Sequence, residues 1–122
     1  MKSAREFGIG ADIEEIGRFE KLDRTRHRIF LNRVYTDDEL SYCFSMRRPA
    51  QHLAARFCAK ESVIKALSGM GMRGIAYRDI RIRARGDAPT VSLNQISPKI
   101  DISLTMAHAG RYALAAAFAK KL

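Results

Sequence analysis

With 122 residues, 47% apolar side chains and no low-complexity tract, the chain suits one compact domain over residues 1–122 and is not disordered. No apolar run approaches the ~20 residues of a membrane span. The opening stretch, interrupted by Glu6, lacks a signal peptide's apolar core, which predicts a cytoplasmic location and no membrane partner. The net charge of +9 favours anionic partners: nucleic acid, phosphorylated small molecules or an acidic protein.

In chain order, residues 5–13 predict a first strand. Phe7, Ile9, Ala11 and Ile13 alternate with Gly8, Gly10 and Asp12, so one face is apolar and the other is bare until Asp12. Two glycines on one strand face imply that a helix or a ligand approaches the backbone there. Residues 13–23 read as a helix, with Asp12 as N-cap and Glu15 completing a capping box. A capping carboxylate still has a second oxygen for a metal ion. Positive charge accumulates over residues 18–33, where Ile29, Phe30 and Val34 give a second short helix its apolar side. Thr36 with Glu39 is another capping box, opening a helix that reaches about Phe44. Pro49 disfavours helix at Arg48 and suits the first turn of the next one, so the central helix is predicted over residues 49–68.

Gly69, Gly71 and Gly74 make residues 68–75 a loop, without the preceding strand and following G-K-[ST] of a phosphate loop. Residues 77–85 alternate as a strand, with Ile80, Ile82 and Ala84 inward and Arg81, Arg83 and Arg85 outward. A turn at Gly86-Asp87 leads back through a partner strand over 90–93. After Ser97-Pro98, residues 100–106 and 112–119 read as two more strands flanking a turn at Gly110. One strand, a helical block and several antiparallel strands define an α+β fold: a small antiparallel sheet packed against a long central helix and shorter helices. Cys43 and Cys58, without C-x-x-C spacing, predict two reduced, packed thiols in place of a disulfide or zinc site.

The central stretch F-C-A-K-E-S-V-I-K-A-L, residues 57–67, spreads apolar and small side chains over most of its helical circumference, as a helix covered by protein does. On it Glu61 and Lys65 share one face, with Phe57 one turn before Glu61. A surface ion pair of that kind contributes only about 0.2–0.5 kcal/mol. A mostly buried helix, however, is a costly place for a carboxylate without a strong partner. Asp12 at a strand end and His108 beside a turn complete the candidate set. Two carboxylates from different elements suit Mg²⁺, which takes one or two carboxylates plus phosphate oxygens and water. A nearby lysine suits phosphate charge.

Three segments carry a resemblance: G-I-G-A-D-I-x-x-I-x-R (residues 8–18), R-V-Y-T-D-D-E-L (33–40) and L-A-A-R-F-C-A-K-E-S-V-I-K-A-L (53–67). With Y-R-D-I (77–80) and H-A-G-R-Y-A (108–113), they resemble the holo-[acyl-carrier-protein] synthases, the small trimeric branch of the 4′-phosphopantetheinyl transferase superfamily. The resemblance covers almost the whole chain in order. It implies transfer of the 4′-phosphopantetheine group from coenzyme A to a serine of an apo acyl carrier protein, releasing adenosine 3′,5′-bisphosphate. It implies Mg²⁺, with Mn²⁺ as an alternative, on Asp12 and Glu61, and places Lys65 at the coenzyme A phosphates and the leaving group. It also implies His108 near the coenzyme, Arg18, Arg48 and Arg56 against the acidic carrier protein, and a homotrimer with sites at its subunit boundaries. Asp12, Glu61 and Lys65 are thus the expected catalytic residues, and the base for the serine is Glu61 or a metal-bound water. The chain departs from the pattern with S-G-M (68–70) where G-T-G is common, and with Tyr77 where tryptophan or phenylalanine is usual. It also lacks a hydroxyl just before His108.

The rival reading is a basic nucleic-acid-binding module without catalysis, favoured by the charge and by Arg81, Arg83 and Arg85. Aromatic content of only 8% and the lack of an RNP or zinc-finger signature count against it. A third reading, an assembly subunit that has lost its chemistry, is disfavoured by the intact Asp12/Glu61/Lys65 set.

Overall fold

The computed structural model describes residues 5–84, 88–94 and 99–122. The chain runs β1 (Phe7–Glu15), a 3₁₀ turn (Ile16–Phe19), α1 (Arg28–Val34), α2 (Asp37–Ser45) and α3 (Pro49–Gly69). A second 3₁₀ turn (Tyr77–Asp79) leads into β2 (Ile80–Arg83), β3 (Thr90–Leu93), β4 (Ile100–Ala109) and β5 (Tyr112–Lys121). The expected turn at Gly86-Asp87, the outward Arg85 and the break at Ser97-Pro98 lie outside the described residues. The architecture is α+β, with the strands divided between two antiparallel sheets: β1-β5-β4, and the pair β2-β3. Among the described residues no helix is long and apolar enough to cross a membrane.

Helix α3 forms where Pro49 supplies a first-turn residue without a needed N–H, and its side chains are buried on most sides. It lies across β5, whose inward residues Ala113, Ala115, Ala117 and Ala119 are all small and buried. That smoothness lets helix and sheet approach until helix side chains reach strand carbonyls. The Cys58 thiol donates to the Ala113 carbonyl at 3.3 Å and the Ser62 hydroxyl to the Ala115 carbonyl at 3.1 Å. Both cysteines are free and buried, as expected.

The glycine face of β1 packs directly on α3. A Cβ at Gly8 would overlap the Ala66 carbonyl oxygen, and one at Gly10 would lie 2.9 Å from the Lys65 Cβ. The close neighbour is therefore the helix. Since backbone cannot step aside as a flexible side chain does, Gly8→Ala is expected to destabilise the fold by roughly 1–3 kcal/mol. Chemical denaturation would check this; an unchanged midpoint would contradict the contact.

β1 shows the expected alternation, and one expectation next to it changes. Its apolar residues Phe7, Ile9 and Ile13 face outward and are exposed, Ile9 at 73%. The helix expected over 13–23 is replaced by strand to Glu15 and a single 3₁₀ turn, and Glu15 provides no side-chain cap. Pairing with β5 continues to Glu15 opposite Tyr112, and the Ile16 amide donates to the Arg111 carbonyl at 2.8 Å. The backbone is thus committed to the sheet, and Asp12 is not a helix cap.

The Thr36/Glu39 capping box is present, and Glu39 extends beyond it. Its carboxylate accepts from the Ile82 amide at 2.7 Å and meets the Lys60 ammonium at 2.7 Å. Lys60, fully buried, also donates to the carbonyls of Val34 (2.8 Å) and Tyr77 (3.0 Å). All three ammonium hydrogens have acceptors, which makes burial of the charge tolerable.

Candidate active site

Strand alternation puts Asp12 and Glu14 on the face of β1 that meets α3. Asp12 Oδ1 lies 3.3 Å from Lys65 Nζ, which also donates to the Ala11 carbonyl at 2.9 Å. Asp12 Oδ2 is buried and, among the described residues, has no hydrogen-bond partner. Lys65 therefore turns to the strand acid and makes no ion pair with Glu61, its helical neighbour. Glu61 Oε2 instead accepts a hydrogen bond from the Tyr77 hydroxyl. The Tyr77 ring lies against Phe57, with centroids 5.6 Å apart.

Glu14 joins the site without having been expected there. Its side chain is 12% exposed and accepts from Arg18 at 2.8 Å. Burial, then the neighbouring Asp12 carboxylate, raises its carboxyl above the ordinary value; Arg18 pulls it down and Glu61 adds to the rise. Burial and the hydrogen bond to Glu61 push the Tyr77 hydroxyl up to about 12, with Asp12 and Glu14 contributing. Asp12 and Glu61 thus both bear on the charge of Glu14. Had the strand been read through to Glu15, period-two alternation would have placed Glu14 beside Asp12. Tyr77 left no comparable signal, because its partner is distant in sequence.

Of the remaining expected residues, Arg18 reaches the site through Glu14, and the others lie elsewhere on the protomer. His108, near the end of β4, has its Nε2 at 2.9 Å from Gln51 Nε2. Both line a polar cavity of about 550 Å³ with Arg48, Arg111, Glu15 and Glu20. In the sheet register, Glu14 and His108 both lie opposite Ala113, on either side of it. Arg18 is exposed and bound to Glu14. Arg56 is only 3% exposed: its guanidinium stacks 4.5 Å over the Tyr42 ring and donates to the Ala84 carbonyl at 3.3 Å. A carrier-protein contact through Arg56 would require that packing to open, so Arg56 reads here as a packing residue between α2, α3 and the end of β2.

Among the described residues, no three ligating side chains converge into a complete metal cage. The donors that do gather are carboxylate oxygens, one of them buried without a partner. That set fits a hard divalent ion completing its shell with phosphate oxygens and water. The fold and site define a small α+β domain with paired acids and a lysine suited to phosphate chemistry.

This chain belongs to the 4′-phosphopantetheinyl transferase superfamily, whose family model matches residues 8–117. It is 40% identical over 109 residues to the holo-[acyl-carrier-protein] synthase of Thermodesulfovibrio yellowstonii, covering 88% of this chain and 93% of the relative. It superposes on the Mycobacterium tuberculosis acyl carrier protein synthase with a TM-score of 0.72 and 30% identity, over 94% of this chain and 97% of that one. The Helicobacter pylori holo-[acyl-carrier-protein] synthase, solved in complex with coenzyme A, matches with a TM-score of 0.71 and 27% identity, over 89% of this chain and 96% of that one.

Proposed function

We propose that the chain, as a single domain over residues 1–122, is a holo-[acyl-carrier-protein] synthase. It transfers 4′-phosphopantetheine from coenzyme A to a serine hydroxyl of an apo acyl carrier protein, with adenosine 3′,5′-bisphosphate as the leaving group. The observation that carries this reading is the β1–α3 junction: a strand acid with one oxygen on a helix lysine and the other buried and free among the described residues, in a chain of this superfamily.

Asp12 and Glu61 would hold Mg²⁺, or Mn²⁺ in its place. Bound there, the ion would supply positive charge against the diphosphate. Lys65, already beside Asp12, stabilises charge on the departing phosphate oxygen. With Tyr77 donating to Glu61 Oε2, Oε1 is the less encumbered oxygen for the ion or the serine proton. Arg18 and Arg48, both exposed, would steer an acidic carrier protein. Free, buried Cys43 and Cys58 agree with a cytoplasmic enzyme in a reducing compartment.

The outward apolar face supports a homotrimer. Phe7, Ile9, Ile13, Leu114 and Phe118 are all exposed on one side of the β1-β5-β4 sheet, a patch that marks an interaction surface. Lys65 lines grooves of about 770 and 540 Å³ that reach this face, so a neighbouring copy would close over the site. His108 would then meet the coenzyme. Light scattering should give three times the chain mass for the wild type and a single chain mass for Phe118→Asp, with loss of turnover. A monomeric, fully active wild type would remove the trimer from the reading.

Mass spectrometry of an apo acyl carrier protein incubated with enzyme, coenzyme A and Mg²⁺ tests the activity itself. A mass gain of one phosphopantetheine group on a serine is expected, at a rate that falls with added salt. An unmodified carrier, while a nucleic-acid shift appears at low salt, would favour the basic binding module instead. A transfer rate indifferent to salt would take Arg18 and Arg48 out of the carrier contact.

A further inference from the structure

We propose that Tyr77 is a positioning residue for Glu61, holding one carboxylate oxygen so that the other is presented to the metal. This rests on the reading of Glu61 as a ligand given above. Tyr77 is gripped at both ends by consecutive residues of α3. Its backbone carbonyl accepts from Lys60 Nζ at 3.0 Å, and its hydroxyl donates to Glu61 Oε2. Lys60 is itself fixed, fully buried, by Glu39 at 2.7 Å and the Val34 carbonyl at 2.8 Å. The ring is braced by Phe57, and the 3₁₀ turn that carries it is closed by Asp79 Oδ2 accepting from the Ala76 amide at 2.9 Å.

The hydroxyl therefore comes from a rigid base, not a mobile side chain. A carboxylate with one oxygen pinned loses its freedom to rotate about χ3 or to turn toward Lys65 on the next turn. Such outer hydrogen bonds orient ligating carboxylates, and their removal typically costs about 10–100-fold in metal affinity. The adjacent Lys60 and Glu61 of α3 thus hold the same tyrosine from two sides. Lys60 anchors its backbone from the core, and Glu61 receives its hydroxyl at the site.

Tyr77→Phe tests this, because the ring and its Phe57 contact remain while only the hydroxyl goes. Mn²⁺ binding to the protein without coenzyme is titrated by the electron paramagnetic resonance of free Mn²⁺, beside thermal melting and steady-state kinetics. For Tyr77→Phe the Mn²⁺ Kd should rise about tenfold or more. The Mn²⁺ concentration for half-maximal rate should rise with it, while the melting temperature and the KM for carrier protein stay at wild-type values. Glu61→Gln separates the two readings. Wild-type Mn²⁺ affinity that Glu61→Gln leaves unchanged would overturn Glu61 as a ligand and this inference with it. Affinity lost in Glu61→Gln but retained in Tyr77→Phe would overturn the role of Tyr77 alone.

Discussion

Lys65→Ala is expected to lower turnover by about 10²–10³-fold while leaving the melting temperature nearly unchanged. The two halves of that result come from different terms. Lys65 is half-exposed, with a side-chain exposure of 51%, and its contact with Asp12 is 3.3 Å, so the ion pair contributes at most about 1 kcal/mol to folding. In the proposed transfer its value lies in the reaction. A fixed ammonium near the departing phosphate oxygen faces charge that grows only in the transition state, which is where a preorganised cation lowers the barrier. Lys65→Arg should recover little, since a longer, planar guanidinium with its charge spread over three nitrogens does not reproduce the compact ammonium held at the Ala11 carbonyl and Asp12 Oδ1. Coenzyme A turnover and thermal melting on the same samples check both halves. Near-normal turnover of Lys65→Ala would reject its role at the leaving group.

The second large effect falls on stability. Lys60→Ala should destabilise the fold by about 3–5 kcal/mol, because it strands a buried Glu39 carboxylate without its cation. For a chain of this size, that lowers the melting temperature by more than about 10 °C. The loss spreads beyond one pair, since Lys60 ties the end of α1 to the turn before β2, and Glu39 ties the start of α2 to the Ile82 amide. The double variant Lys60→Met/Glu39→Leu should recover part of the stability, as apolar replacement of both members removes the unpaired charge. It should not recover all of it, because the Thr36 and Ile82 amides then lose an acceptor. A double variant no more stable than Lys60→Ala would mean that the unpaired charge is not the source of the loss.

These two lysines, five residues apart on α3, show how one helix serves both fold and site. Lys60 points into the core and is closed to solvent, whereas Lys65 sits at the edge where α3 crosses β1. Glu61 lies between them, half-buried, and takes its partner from the turn that Lys60 holds in place. A change at Lys60 is therefore expected to disturb Glu61 indirectly, through Tyr77.

Short-range chemistry is legible in the sequence wherever it acts alone. Pro49 and the unbroken run after it specified α3, Thr36 with Glu39 specified the start of α2, and the apolar run after the Gly110 turn specified β5. Asp12, Glu61 and Lys65 stood out as candidates because they are polar residues in apolar stretches. Long-range packing, by contrast, set which face of β1 meets the helix, where β1 ends, and which partner each charged group takes. Ile13-Glu14-Glu15 is compatible with helix locally, and pairing with β5, almost a hundred residues away, made it strand and put Glu14 on the face of β1 that carries Asp12. The exposed face of Phe7, Ile9 and Ile13 inverted a pattern that in one chain signals a core. Lys65 chose Asp12 over Glu61, and Glu61 chose Tyr77, because contacts across the fold set those pairings, and one-turn spacing along a helix only permits them.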